Sequence, residues 1–222
     1  MIVADRKPLE EILDSIKDYK KIMLMGCGGC VTICFSGGVK AVELLASQIK
    51  IARKKQGKPI EIIECTPERQ CEFEFIDAFK KDLESAEAVL SIACGVGVQT
   101  MSERHEDTIT IPGQNTKFMG YPVEHALWEE RCAGCGNCVL EWTGGICPIA
   151  RCAKKLLNGP CGGSSNGVCE VDKDTDCVWQ LIYDRLKKLN KLENLMVVRQ
   201  PKDWRTSTDA GQRRVKFEEA ML

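Results

Sequence analysis

The sequence predicts an α/β fold: an N-terminal open parallel sheet with flanking helices, then a Cys-rich loop domain organised by metal clusters and closed by a C-terminal helix. Three observations predict it. From Lys21 to Pro112 short apolar runs alternate with segments of helical spacing. From residue 130 to 177 the chain is rich in Cys and Gly with little apolar periodicity. There are 14 cysteines in a 222-residue chain whose 44% apolar content can build cores without covalent staples.

The opening MIVADRKPLEEILDSIKDYK reads as an amphipathic helix with Leu9, Ile12, Leu13, Ile16 and Tyr19 on one face. It lacks the apolar core of a signal peptide. KIMLMG (21 to 26) is a strand ending in glycine, followed after a loop by a crossover helix through Val42, Leu45, Ala46, Ile49 and Ala52. PIEIIEC (59 to 65) is a second strand, EFEFIDAFKKDLES a second helix, AVLSIAC (88 to 94) a third strand and TITIP (108 to 112) a fourth. Ile22 to Val39 carries no charge over 18 residues, but five glycines and two hydroxyl residues argue for strand, loop and helix start, not a membrane span. After about Gly113 the alternation stops. CVWQLIYDRLKKLNKLENLM then resumes as a helix with Val178, Leu181, Ile182, Leu186 and Leu189 on one face. The expected divisions are an N-terminal helix over 1–20, an α/β cluster-binding domain over 21–125, a Cys-rich domain with its helix over 126–198, and a polar tail over 199–222 that packs locally or on a partner.

Charge narrows the function. With 31 Lys and Arg against 32 Asp and Glu and no basic block, a nucleic-acid surface has no support. Nothing directs the chain to an oxidising compartment, so a cytoplasmic location is expected, where clustered thiols serve metal binding or redox chemistry.

In open parallel sheets, ligands sit beyond the carboxyl ends of the strands where strand order reverses. Cys27 follows the first strand, Cys65 ends the second with Cys71 six residues on, and Cys94 ends the third. Thiolates from three strands should therefore gather at one edge. GCGGCVTIC is no dinucleotide loop, because Val31 stands where the third glycine is needed; CGVGVQT fails likewise at Thr100. A thioredoxin-like dithiol would use Cys27 and Cys30 and leave the other cysteines idle. An iron-sulfur cluster uses Cys27, Cys30, Cys71 and Cys94, with Cys34 and Cys65 as substitutes for the fourth ligand.

CAGCGNC places Cys132, Cys135 and Cys138 at CxxCxxC spacing, the opening of bacterial ferredoxins. Cys147-Pro148 then follows after eight residues where a ferredoxin would have three, which weakens a ferredoxin fold. Cys147, Cys152, Cys161, Cys169 and Cys177 bring the total to eight, enough for two sets of four. The expected partition is Cys132, Cys135, Cys138 and Cys177 in one set and Cys147, Cys152, Cys161 and Cys169 in the other. One or two zinc ions are the structural alternative. His105 and His125 are expected in polar, exposed surroundings, and the four tryptophans as core or interface anchors. No acid/base pair or nucleophile motif is found.

GCGGCVTICFSGG, ERQC, ACGVGVQT, RCAGCGNCVLEWTGGICPIARCAKKLLNGPCGG, CEV and CVWQLIYDRL together resemble the MetV family, the small subunit of acetogen-type methylenetetrahydrofolate reductases. The resemblance runs from about Lys21 to Trp204. It implies a cytoplasmic subunit that pairs with a flavin-carrying catalytic subunit and passes electrons to that flavin through iron-sulfur clusters. The family's motifs carry over to Cys27, Cys30, Cys71, Cys94 and the eight C-terminal cysteines, while Cys65 lies outside them.

The expected function is thus electron transfer through two or three [4Fe-4S] clusters, with zinc an alternative occupant of one C-terminal site. The expected partners are the flavin-containing catalytic subunit and a further electron-donor module, with neither nucleic acid nor membrane insertion. A structural zinc-binding accessory subunit and a dithiol oxidoreductase acting through Cys27 and Cys30 are the rivals.

Overall fold

The structure, a computed structural model, describes residues 1–207. The chain divides into two compact units, 1–129 and the remainder from residue 130.

The first unit opens with β1 (Ile2–Arg6) and α1 (Leu9–Ser15). The helix expected over 1–20 is therefore shorter and starts late. β-branched Ile2 and Val3 suit a strand, and Pro8 lacks the N–H a helix interior needs, so it serves as the cap before Leu9. The parallel sheet follows: β2 (Lys21–Met25), α2 (Cys30–Ile33), α3 (Val39–Lys55), β3 (Glu61–Cys65), α4 (Phe73–Asp77), α5 (Lys80–Glu84), β4 (Ala88–Ser91), α6 (Gly95–Arg104) and β5 (Thr110–Pro112). Its order is β3-β2-β4-β5, with parallel pairing throughout. Strand order reverses beside β2, which has β3 on one side and β4 on the other.

Both faces of this sheet are covered, which explains why its strands are apolar runs and do not alternate. Ile22, Leu24 and Leu90 pack with Val42, Leu45 and Ile49 of α3 and with Ile12 and Ile16 on one face. Met23, Met25 and Val89 pack with Ile76, Leu83 and Met101 on the other. Arg53 is buried at the end of α3 without a carboxylate. Its guanidinium donates to the carbonyls of Ile16, Lys17 and Tyr19 and its Nε to Lys58 O, satisfying the orphan acceptors where α1 ends.

The alternation does stop after Gly113, but strand structure does not. β6 (Gln114–Glu124) and β7 (Leu127–Cys132) form a hairpin with Ala126 in the left-handed region (φ 62) at its turn. With β1 they make a second sheet of order β1-β6-β7, in which β1 pairs antiparallel with β6 from Ile2↔Met119 to Arg6↔Gln114.

The second unit has little regular structure. α7 (Pro148–Arg151) is one turn, α8 (Val178–Lys188) supplies the one long apolar face, and a 3-10 turn over Leu192–Met196 takes up the last part of the expected helix. Ile146, Val178, Trp179, Ile182 and Leu186 form its small core with Cys177. The rest is turns, with positive φ at Gly134, Gly136, Gly144, Gly145, Gly159, Gly162 and Gly167. Among the described residues no helix is long and apolar enough to cross a membrane.

Candidate thiolate site

All 14 cysteines are free. In the first unit the loops beyond β2, β3 and β4 interlock through their backbones. Gly26 N donates to Cys65 O (2.8 Å), Gly28 N to Pro67 O (2.9 Å), Cys27 N to Gly37 O (2.9 Å) and Ile92 N to Met25 O (2.9 Å). The approach requires glycine: a Cβ on Gly37 would lie 2.0 Å from Ile92 O. Cys27 is buried and its sulfur accepts from Gln70 N at 3.5 Å. Cys30 begins α2, and Cys94 caps α6. Burial raises the Cys71 thiol above its ordinary value, as does the nearby charge of Cys27 and then of Cys94, so Cys71 lies within electrostatic reach of both.

The two substitute ligands differ. Cys34 is buried in the same cluster as Cys27, with Cys94 packed against it and its sulfur 3.1 Å from Ser36 Oγ. Cys65 points into the core with Ile76 and Leu83, and burial, aided by the Asp82 charge, pushes its thiol up to about 12. In that setting Cys65 packs as a small buried apolar side chain.

In the second unit one cavity has Cys152, Cys161, Cys169 and Cys177 in its wall, with Trp179 beside them. Cys177 caps α8, and its N–H donates to Gly167 O at 2.7 Å; Cys169 N donates to Thr175 O at 2.9 Å. Cys161 is the exposed member. Backbone N–H donation from Gly163 outweighs burial and, aided by the Lys154 charge, holds its thiol below the ordinary value. Cys177 thus shares the wall of this cavity with Cys152, Cys161 and Cys169. The reason is α8: its apolar face must join the core, which carries its capping residue inward.

That leaves Cys132, Cys135, Cys138 and Cys147. Cys132 Sγ accepts from Gly134 N at 3.4 Å, and Cys147 Sγ, capping α7, accepts from Ala150 N at 3.5 Å. The start of the expected tail covers this loop. Thr206 Oγ1 donates to Cys135 O at 3.1 Å, and Lys202 Nζ donates to Asn137 O. Gly136, at φ +72, lies so close that a Cβ there would fall 2.0 Å from Thr206 O. Residues 208–222 of that tail lie outside the described residues.

Residues 111–205 match the family model described as methylene-tetrahydrofolate reductase C terminal. Over that stretch the chain is similar to methylenetetrahydrofolate reductase. The match takes in the β6–β7 hairpin, the eight later cysteines and α8, and it stops short of half the chain. No curated protein and no solved structure matches.

The donor chemistry suits a soft metal, since unpaired thiols and backbone N–H groups aimed at sulfur are what iron-sulfur and zinc-thiolate centres use. The geometry is not yet that of a ligated centre. The four-cysteine cavity encloses about 20 Å³, room for about one water. Among the described residues no three His, Cys, Asp or Glu side chains are placed to hold a metal ion. The second unit is accordingly a cysteine-lined loop domain, and the expected organisation by metal is not visible in it. Of the histidines, His125 is exposed as expected, beside Phe35, while His105 is half-buried, its Nε2 3.6 Å from Asp77.

The hairpin escaped the sequence because β6 is mostly exposed: its alternating apolar residues Met119, Tyr121 and Val123 bury little, and Gly120 and Pro122 between them read as breakers.

Proposed function

We propose that the chain is an iron-sulfur electron-transfer subunit of a methylenetetrahydrofolate reductase system, exchanging electrons with a flavin-containing catalytic subunit. The observation that carries it is the cavity lined by Cys152, Cys161, Cys169 and Cys177, within the stretch that matches the reductase family. Four thiolates suit a cubane cluster, whose one-electron chemistry matches a relay to a two-electron flavin. On this reading Cys132, Cys135, Cys138 and Cys147 hold a second cluster and Cys27, Cys30, Cys71 and Cys94 a third. The protein's part is to supply the thiolates and aim N–H groups at their sulfurs, as Gln70 N does at Cys27, Gly134 N at Cys132 and Ala150 N at Cys147.

A dithiol mechanism is the weaker reading, because the Cys27 sulfur is buried and a substrate disulfide must reach the attacking sulfur. Zinc in place of iron would make the second unit structural.

The test is metal and sulfide analysis of protein purified without oxygen, with visible absorption and electron paramagnetic resonance after reduction. Iron and acid-labile sulfide in equal amounts, with a paramagnetic signal on reduction, are expected. Zinc alone, or no metal, sinks the proposal.

A further inference from the structure

The second unit carries a large cleft that cysteine chemistry does not use. It encloses about 670 Å³, within the roughly 300–1,000 Å³ typical of small-molecule sites. Its walls are aromatic and aliphatic, including Trp142, Trp179, Tyr183 and Val197. An adjoining hollow of about 430 Å³ shares Trp142, Val198 and Arg199 with it and adds Lys202.

Arg199 gives the cleft its chemistry. The guanidinium carbon lies 4.1 Å from the centre of the Trp142 ring, a stacked cation on an indole face. The residue is half-buried. Among the described residues it has no carboxylate partner, and no Asp or Glu lines either hollow. Stacking occupies a face of the guanidinium and leaves its N–H edge available, pre-oriented for a planar oxyanion. The amides are held too: Asn194 Nδ2 donates to Trp142 O at 3.3 Å, and Gln180 Nε2 donates to Asp184 Oδ1 at 3.1 Å. A fixed cation at the edge of an aromatic-walled, acid-free cleft selects for a ring and a negative charge in one molecule.

We propose that this cleft binds a planar aromatic anion, its ring against Tyr183 and Val197 and its anionic group on the Arg199 guanidinium. No cysteine lines either hollow, so the ligand preference can be measured on the protein as purified whatever its thiolates hold.

The probe is 2-naphthoate, titrated into the full chain and followed by ligand-observed NMR, beside its neutral isostere 2-naphthamide and the non-aromatic anion cyclohexanecarboxylate. Naphthoate should bind about tenfold more tightly than naphthamide, the size of one charge-assisted hydrogen bond. Cyclohexanecarboxylate should bind more weakly than naphthoate. Arg199→Gln should bring naphthoate and naphthamide to within about twofold of each other, with the circular dichroism spectrum unchanged, and Tyr183→Ala should weaken both aromatic ligands. Equal affinity for naphthoate and naphthamide in the unaltered protein overturns the proposal. So does a preference that survives Arg199→Gln, equal binding of the non-aromatic anion, or no binding at millimolar concentration.

Discussion

The two units hold their cysteines by opposite means. In the first, Cys27, Cys71 and Cys94 sit on loops beyond a parallel sheet whose two faces are both packed, so the sheet places them whether or not anything binds. In the second, eight cysteines hang on turns around one 11-residue helix and a core of a few side chains. A small core leaves conformational entropy poorly offset. The second unit is where a bound metal would contribute most to folding, and the first where it would contribute least.

The largest expected effect follows from that contrast. Stripping metal from anaerobically purified protein with a chelator should abolish most amide hydrogen-exchange protection from residue 130 to 190 and leave β2, β3 and β4 protected. Equal retention in both units would mean that the turns of the second hold without metal.

Next comes a change confined to the first unit. Leu90 is fully buried between α3 and the sheet, so Leu90→Ala should cost about 2–5 kcal/mol in urea unfolding. The metal content of the C-terminal cysteines should stay unchanged. Loss of that metal with the substitution would show that the units do not fold independently.

The smallest effect is electrostatic. The Asp77 carboxyl is held below its ordinary value near 3.8, chiefly by hydrogen bonds from Arg104. A depressed carboxyl stabilises the fold above its unfolded value and loses that contribution as pH falls through the folded one. Asp77→Asn should therefore lower the urea midpoint of the first unit slightly at pH 7, and the gap should close below pH 3.8. Arg104 is exposed and Asp77 only half-buried, so solvent screens the pair and the effect is small. A gap independent of pH would assign it to packing.

Legibility differed between the units for the same reason. The parallel sheet could be read because each strand is a local apolar run and α3 a clean helical stripe from Val42 to Ile49. That Cys27, Cys71 and Cys94 all lie beyond the ends of the parallel strands was readable from strand order alone. In the second unit cysteine spacing suggested a partition that put Cys177 with Cys132, Cys135 and Cys138, whereas it lines a cavity with Cys152, Cys161 and Cys169, because spacing carries no information about where α8 packs.

By itself the sequence determined the strands of the parallel sheet, the thiols at their ends and the density of cysteine between residues 130 and 177, since these depend on local apolar pattern and residue identity. Only the tertiary structure decided that Ile2–Arg6 is a strand, that Cys34 and Cys65 are core residues, that Cys177 joins Cys152, Cys161 and Cys169, and that Arg199 lies on Trp142. Each of those depends on a contact between distant residues, such as Ile2 with Met119, and such contacts form only when burial elsewhere brings the segments together.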